Sequence, residues 1–262
     1  RSRFPGNLQL DAQLDQANGA RVWRYLPLSV GKDAIDYVKY SILSGTAKNA
    51  RFVIKGDLFD LPYDKTKNGT FKIETKVENA VMAYVPKQLQ GPKDLAWPSF
   101  SNLSGDLIFD GAGMEVRQAK AVITDNPSLK ITEANVKIPD LSKTVVQVKA
   151  QATGPLAAML SFTNNSPLRD ITEKALINAK ASGNSDYIFN MNLPIAQMEK
   201  ASVDGQVKLI GNEIQITPDT PALKKVTGQV VFNEYGFLIQ NAKANLLGGE
   251  VEFSGGSSAL IN

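Results

Sequence analysis

The sequence predicts a mainly β fold, a largely antiparallel sheet with two short helices. Three observations carry that reading. Apolar residues alternate with polar ones at period two along most of the chain, the signature of strands with one apolar and one wet face. Gly, Asn, Asp and Pro punctuate the connections between these runs. A strand–turn–strand phrase is also written twice, as "LSGDLIFDGAGMEV" from Leu103 to Val116 and "VTGQVVFNEYGFLI" from Val226 to Ile239. The two copies align without a gap, Gly105 with Gly228, Phe109 with Phe232 and Gly113 with Gly236. The match extends back to Pro98 and Pro221, and on to Ala119-Lys120-Ala121 and Ala242-Lys243-Ala244. Matching glycines at turns with apolar residues in step mark a repeated structural unit.

The elements follow in order. Leu8, Leu10, Ala12 and Leu14 share one face of a first strand. "SVGKDAIDYVKYSILSG" then reads as a helix with Ile35, Val38 and Ile42 on one stripe and Gly45 as its stop. Phe52, Ile54 and Leu58 alternate with Val53, Lys55 and Asp57, and Phe71, Ile73, Thr75 and Val77 with Lys72, Glu74 and Lys76. The first copy of the hairpin comes next, followed by Val146, Val148, Ala150 and Ala152 on one face of a further strand. "SPLRDITEKALINA" reads as the second helix, near residues 167–179, capped by Ser166 with Pro167 at its first position. Its apolar stripe is Leu168, Ile171 and Ala175. Strands on Tyr187, Phe189, Met191 and Leu193, then on Val203, Val207 and Leu209, lead to the second hairpin, and Val251 and Phe253 to a last strand. With no low-complexity linker, residues 1–262 read as one continuous segment, with repeat-like units over 50–165 and 180–262.

Composition removes whole classes of chemistry. The 262 residues are 43% hydrophobic and 21% charged, which suits a folded chain. There is no Cys and no His, so thiol nucleophiles, disulfides, thiolate or imidazole metal sites and imidazole-based triads are out. A net charge of +3 with interleaved signs does not point to nucleic acid. No run approaches the ~18 apolar residues of a membrane-spanning helix. Both ends, "RSRFPGNLQL" and "GGSSALIN", read as cuts through a longer protein. The acidic cluster of Asp57, Asp60 and Asp64 has the dress of a solvated strand end and turn rather than of a carboxylate pair held across a sugar. Trp97 and Tyr84 read as a strand-corner anchor rather than a stacking platform. No P-loop, serine elbow or calcium loop is present, and the reading is a protein without enzymatic activity, metal or cofactor.

What remains is the apolar stripe itself. Alternation is compatible with a filled core between closed sheets and with a trough left open for an apolar ligand. Periodicity does not separate the two.

Longer phrases bear on the choice. "RYLPLSVGKDAIDYVKYSILSGTAKNARFVIKGDLFDLPY", "KNGTFKIETKVENAVMAYVP", "WPSFSNLSGDLIFDGAGMEV", "NNSPLRDITEKAL", "SGNSDYIFNMNLPI" and "VTGQVVFNEYGFLIQNAKANLLGGEVEFSGG" follow one another from Arg24 to Gly256. In order and spacing they resemble the YhdP family, the large AsmA-like proteins of Gram-negative envelopes. The insertion "KQLQGPKDLA" before Trp97 departs from the family pattern and reads as a longer loop. The resemblance implies an elongated, twisted, largely antiparallel β-sheet curled into an open groove. It also implies a periplasmic segment of an inner-membrane-anchored protein that conducts phospholipid acyl chains from inner to outer membrane. Its partners would be phospholipid, the neighbouring segments of the same long chain, and inner- and outer-membrane proteins at the ends. On that reading the groove lining is Phe52, Ile54, Phe71, Ile73, Leu107, Phe109, Val146, Val148, Phe189, Met191, Val207, Leu209, Val230, Phe232, Val251 and Phe253. The recurrence of the hairpin then has a reason, since a conduit needs the same apolar floor at each step. Two rivals stand beside it. One is an envelope assembly module that binds a protein through an edge strand. The other is a carbohydrate-active β protein using the carboxylates and Trp97.

Overall fold

A computed structural model describes residues 4–26, 30–63, 68–172 and 174–257. Among them, thirteen strands form one sheet: β1 (Asn7–Asn18), β2 (Ile42–Asp57), β3 (Gly69–Met82), β4 (Phe100–Asp110), β5 (Gly113–Ile123), β6 (Asn126–Ile138), β7 (Val145–Pro155), β8 (Lys180–Ser182), β9 (Asn184–Pro194), β10 (Ser202–Gln215), β11 (Leu223–Asn233), β12 (Gly236–Leu246) and β13 (Gly249–Gly256). Spatial order follows chain order from β1 to β13, except that the short β8 pairs with the end of β10 off the main path. Every pairing is antiparallel, and the sheet does not close: β1 and β13 are its two edges. Connections between neighbours are local, so each strand is held mainly by the two beside it.

The duplicated phrase forms the same hairpin twice. β4 and β5 turn at Gly111-Ala112 and pair Asp110 with Gly113; β11 and β12 turn at Glu234-Tyr235 and pair Asn233 with Gly236. Equivalent positions also share a backbone irregularity. Gln118 and Asn241 both have φ of 51°, and Asn102 and Lys225 have φ of 51° and 53°. Each belongs to a bulge that shifts the register of the pairing by one residue. The bulge drops the next residue, Ala119 or Ala242, onto the facing glycine. A Cβ on Gly105 would stand 3.0 Å from Ala119 Cα, and one on Gly228 2.8 Å from Ala242 Cα. The same device recurs earlier, with Asn79 at φ 50° and Ala80 pressed on Gly45. The repeated glycines are therefore close-approach sites, filled by alanines that are almost fully buried.

Among the described residues three helices interrupt the sheet: α1 (Lys32–Ser41), α2 (Leu156–Asn164) and α3 (Leu168–Ile171). Five short 3₁₀ segments accompany them. The first predicted helix is shorter than expected. It ends at Ser41, and Ile42 and Gly45 belong to β2, because the β-branched and glycine-bearing run "ILSGT" continues as strand. The second predicted helix, near 167–179, is a single turn. Ser166 Oγ does accept a hydrogen bond from Leu168 N, at 3.3 Å, but the chain leaves the helix after Ile171, and Lys174 adopts φ of 62°. The helix that matters, α2, lies just before it and carries no charged residue.

Half of the buried hydrophobic residues among those described form one cluster, Ile123, Leu129, Leu156, Ala158, Tyr187, Leu209, Val226 and Ala244, while others such as Ala119, Ala134 and Ile138 are buried outside it. The cluster's residues come from β5, β6, α2 and β9–β12. Beneath it Asn212, fully buried, ties three strands. Its Nδ2 donates to Ser182 O and Asn184 O at 3.0 and 3.1 Å, and its Oδ1 accepts from Ile210 N at 2.8 Å and Ser185 Oγ at 3.3 Å.

Candidate functional site

Directly opposed residues in a sheet lie on the same face, so the register shows which side chains form continuous rows. Ala12, Phe52, Ile73, Phe109 and Met114 are successive partners from β1 to β5. Leu107 faces Val116, and the row continues through Val136, Val148 and Met191 to Val203 on β10. Phe189 opposes Gly205, which opposes Phe232, which opposes Phe237. Tyr187, Val207, Val230 and Ile239 form a parallel row, and Ala242 and Ala244 meet Phe253 and Val251. Twelve of the sixteen residues expected to line a groove thus stand in these rows; Ile54 pairs with Phe71 and Val146 with Leu193, while Leu209 lies between Ser185 and Gly228.

Their burial is uneven in a telling way. Leu209 is 7% exposed, whereas the other fifteen are half-buried. Phe189, Val207, Leu209, Val230, Val251 and Phe253 belong to, or pack on, the buried cluster. Phe52, Ile54, Phe71, Ile73, Leu107, Phe109, Val146, Val148, Met191 and Phe232 stand outside it. Phe232 marks the border. Its ring lies across Gly205, where an added Cβ would come within 2.0 Å of Cζ, and it meets Phe189 edge-on at 6.3 Å between centroids. Register also adds Met114, Val116, Val136 and Val203 to the rows. For the first three the signal was present in the alternation of "GMEV" and "ANVKIP", once the turn at Gly111-Ala112 is known to set Met114 opposite Phe109, and Val203 alternates with Val207 and Leu209.

The opposite face is mostly polar, with Val53, Ile108, Ile188, Ile210 and Val231 set among its charged and amide side chains. Lys72 pairs with Glu74 at 2.8 Å, Lys76 with Asp106 at 3.2 Å and Lys137 with Glu115 at 2.9 Å. Hydrogen bonds from Lys137 and then Arg117 hold the Glu115 carboxyl below its usual range. Gln206 donates to Gln229 and Gln229 to Gln240, at 2.9 and 2.7 Å, bridging β10, β11 and β12. The exposed ion pairs among these add ~0–1 kcal/mol each.

The other candidates resolve into structural roles. Asp57 Oδ1 accepts from Phe59 N at 3.0 Å and caps the 3₁₀ turn Leu58–Asp60; Asp64 lies outside the described residues. Tyr84 stacks on Phe100 at 4.9 Å and meets Trp97 edge-on at 5.9 Å, and Tyr37 Oη donates to Tyr84 O at 3.0 Å. Burial pushes the Tyr84 hydroxyl well above its ordinary range. Among the described residues no three Asp or Glu side chains gather as a metal site, and no helix is long and apolar enough to cross a membrane.

Among the described residues these strands make a mainly β, antiparallel sheet that does not close, with one largely charged face and one half-buried apolar face. The chain belongs to the YhdP family, whose model, described as YhdP protein, matches residues 1–260. It is similar to the intermembrane phospholipid transporter YhdP of Escherichia coli (strain K12), with 28% identity over 225 residues. That alignment covers 84% of this chain and 16% of the relative, so the chain spans about a sixth of that protein's length. No solved structure matches it.

Proposed function

We propose that this chain is one stretch of a non-enzymatic conduit in which phospholipid acyl chains travel along the apolar face of the sheet. The observation that carries the reading is the run of half-buried apolar residues, continuous from β2 to β10, on a sheet that does not close. A filled sandwich core would bury these side chains; a lipid would complete their burial. At ~0.8 kcal/mol per buried CH₂, a chain of roughly sixteen carbons gains on the order of 12 kcal/mol before entropic costs. Head groups stay at the opening, since burying them unpaired costs several kcal/mol. The family assignment and the relative's name as an intermembrane phospholipid transporter support passage between inner and outer membrane, and a place for the segment in the periplasm. Neighbouring segments of a longer chain would extend the groove at β1 and β13.

A second reading draws on those same edges. Among the described residues each pairs on one side only, so a protein partner can add a strand there.

Photo-crosslinking in living cells, in the full-length protein, separates the two. Probes at Phe109 and Phe232, with Ile108 and Val231 on the outer face as controls, are expected to capture phospholipid only at the phenylalanines. Crosslinks confined to protein at all four positions would replace the conduit with the assembly module.

A further inference from the structure

The apolar face is not open across its whole width. The helix α2 runs directly off β7, and its Leu156 N donates to Gly183 O, at 2.9 Å, just before β9. Its sequence "LAAMLSFTN" contains no charge. Leu156 and Ala158 are buried, and Met159 and Phe162 pack against the same cluster. That cluster is tight: Tyr187 and Val226 are each 1% exposed and Leu129 3%. Phe100, stacked on Tyr84, joins it from β4. All these positions lie toward the same strand ends, the starts of β4, β6, β9 and β11 and the finishes of β5, β7, β10 and β12. Toward the opposite ends, where β4–β5 and β11–β12 are joined by tight turns, Ile73, Phe109, Met114, Val136, Val148 and Met191 are half-buried and outside the cluster.

We infer that α2 is a permanent filler that divides the groove lengthwise and confines acyl chains to the side of the tight turns. This rests on the conduit reading and deepens it. The helix packs beside β6, β7 and β8, and its Leu156 and Ala158 share one buried cluster with Leu209, so an acyl chain over Leu209 would have to displace side chains already packed there. What remains is a strip about four residues wide on each strand, ~13 Å at the rise of a β-strand. Val148 and Met191 touch lipid there; Val207 and Val251, on the same face and equally apolar, touch α2's cluster and do not.

The test places photo-reactive residues at Val148, Met191, Val207 and Val251 of the full-length protein in cells, beside the Phe109 probe. Phospholipid adducts are expected at Val148 and Met191, with loss of adduct at Val207 and Val251. A probe at Val207 can disturb the cluster, so amide exchange of α2 is also followed in the purified full-length protein, before and after loading with dioleoyl phosphatidylethanolamine. Unchanged protection is expected of a filler. Adducts at Phe109 together with adducts at Val207 or Val251, no adduct at Val148 and Met191, or lost α2 protection on loading, overturns the filler and leaves the conduit standing. Absence of lipid at Phe109 and at all four positions removes the conduit, and the filler with it.

Discussion

Tyr187 is 1% exposed, and its hydroxyl donates to Gly154 O at 3.3 Å. Burial pushes its phenol up to about 12, while an unfolded tyrosine titrates near 10. Between those values the unfolded chain has lost the proton and the folded one has kept it. Unfolding therefore releases a proton in that window, and stability falls as pH rises through it; below about 10 the contribution is intact. Tyr187→Phe is expected to cost ~1 kcal/mol near neutrality, for the lost hydrogen bond, and to lose less stability than the parent from about pH 9 to about pH 11. Urea unfolding at the two pH values measures the difference. Tyr84, also raised by burial, keeps part of the alkaline loss in the variant. Equal loss in parent and variant would mean that Tyr187 is hydrated in the fold.

The paired hairpins show how a residue's conformation becomes an element's shape. Gln118 and Asn241 sit in the left-handed region, where Asn is at ease and a β-branched side chain collides with its own backbone. Valine at either position is expected to destabilise by ~1–3 kcal/mol and glycine to be nearly neutral, with both hairpins responding alike in urea unfolding. A large cost at Asn241 with none at Gln118 would mean that the two bulges are not equivalent. The hairpins were legible because turn glycines and alternation leave a strong local imprint. The bulges were legible only in retrospect: apolar positions run Met114, Val116, then Ala119, Ala121 and Ile123, a change of phase that the register shift explains. The helices were read less well, for one physical reason in each case. α1 shares its apolar run with β2, so period alone does not place the boundary at Ser41. The cap at Ser166 is real but starts only one turn. α2 is apolar on most of its faces, so it has little of the amphipathic period that announces a helix. That missed helix explains why the stripe was readable as a whole while its division into a filled and an open side was not.

At the scale of the molecule, twelve strands in chain order make a ribbon on the order of 50 Å long at the ~4.8 Å strand spacing, held by neighbour-to-neighbour pairing. In such a ribbon a defect on the apolar face interrupts whatever moves along it without unravelling distant strands. Met191 is a fitting place to test this, between Val148 on β7 and Val203 on β10, half-buried and outside the closed cluster. A glutamate there can turn its carboxylate to water when the groove is empty, so the fold is expected to lose no more than about 1 kcal/mol. When acyl chains cover the position, the same carboxylate must be desolvated without a partner, at a cost of several kcal/mol. Asn190→Glu supplies the control, since Asn190 is the exposed neighbour on the polar face. If the proposed conduit holds, full-length Met191→Glu in cells lacking the parent protein is expected to fold and accumulate normally yet fail to restore phospholipid transfer between the membranes, while Asn190→Glu restores it. If Met191→Glu restores transfer as well as the parent does, lipid does not pass over β9 on this face, and the half-buried row serves the sheet's own packing.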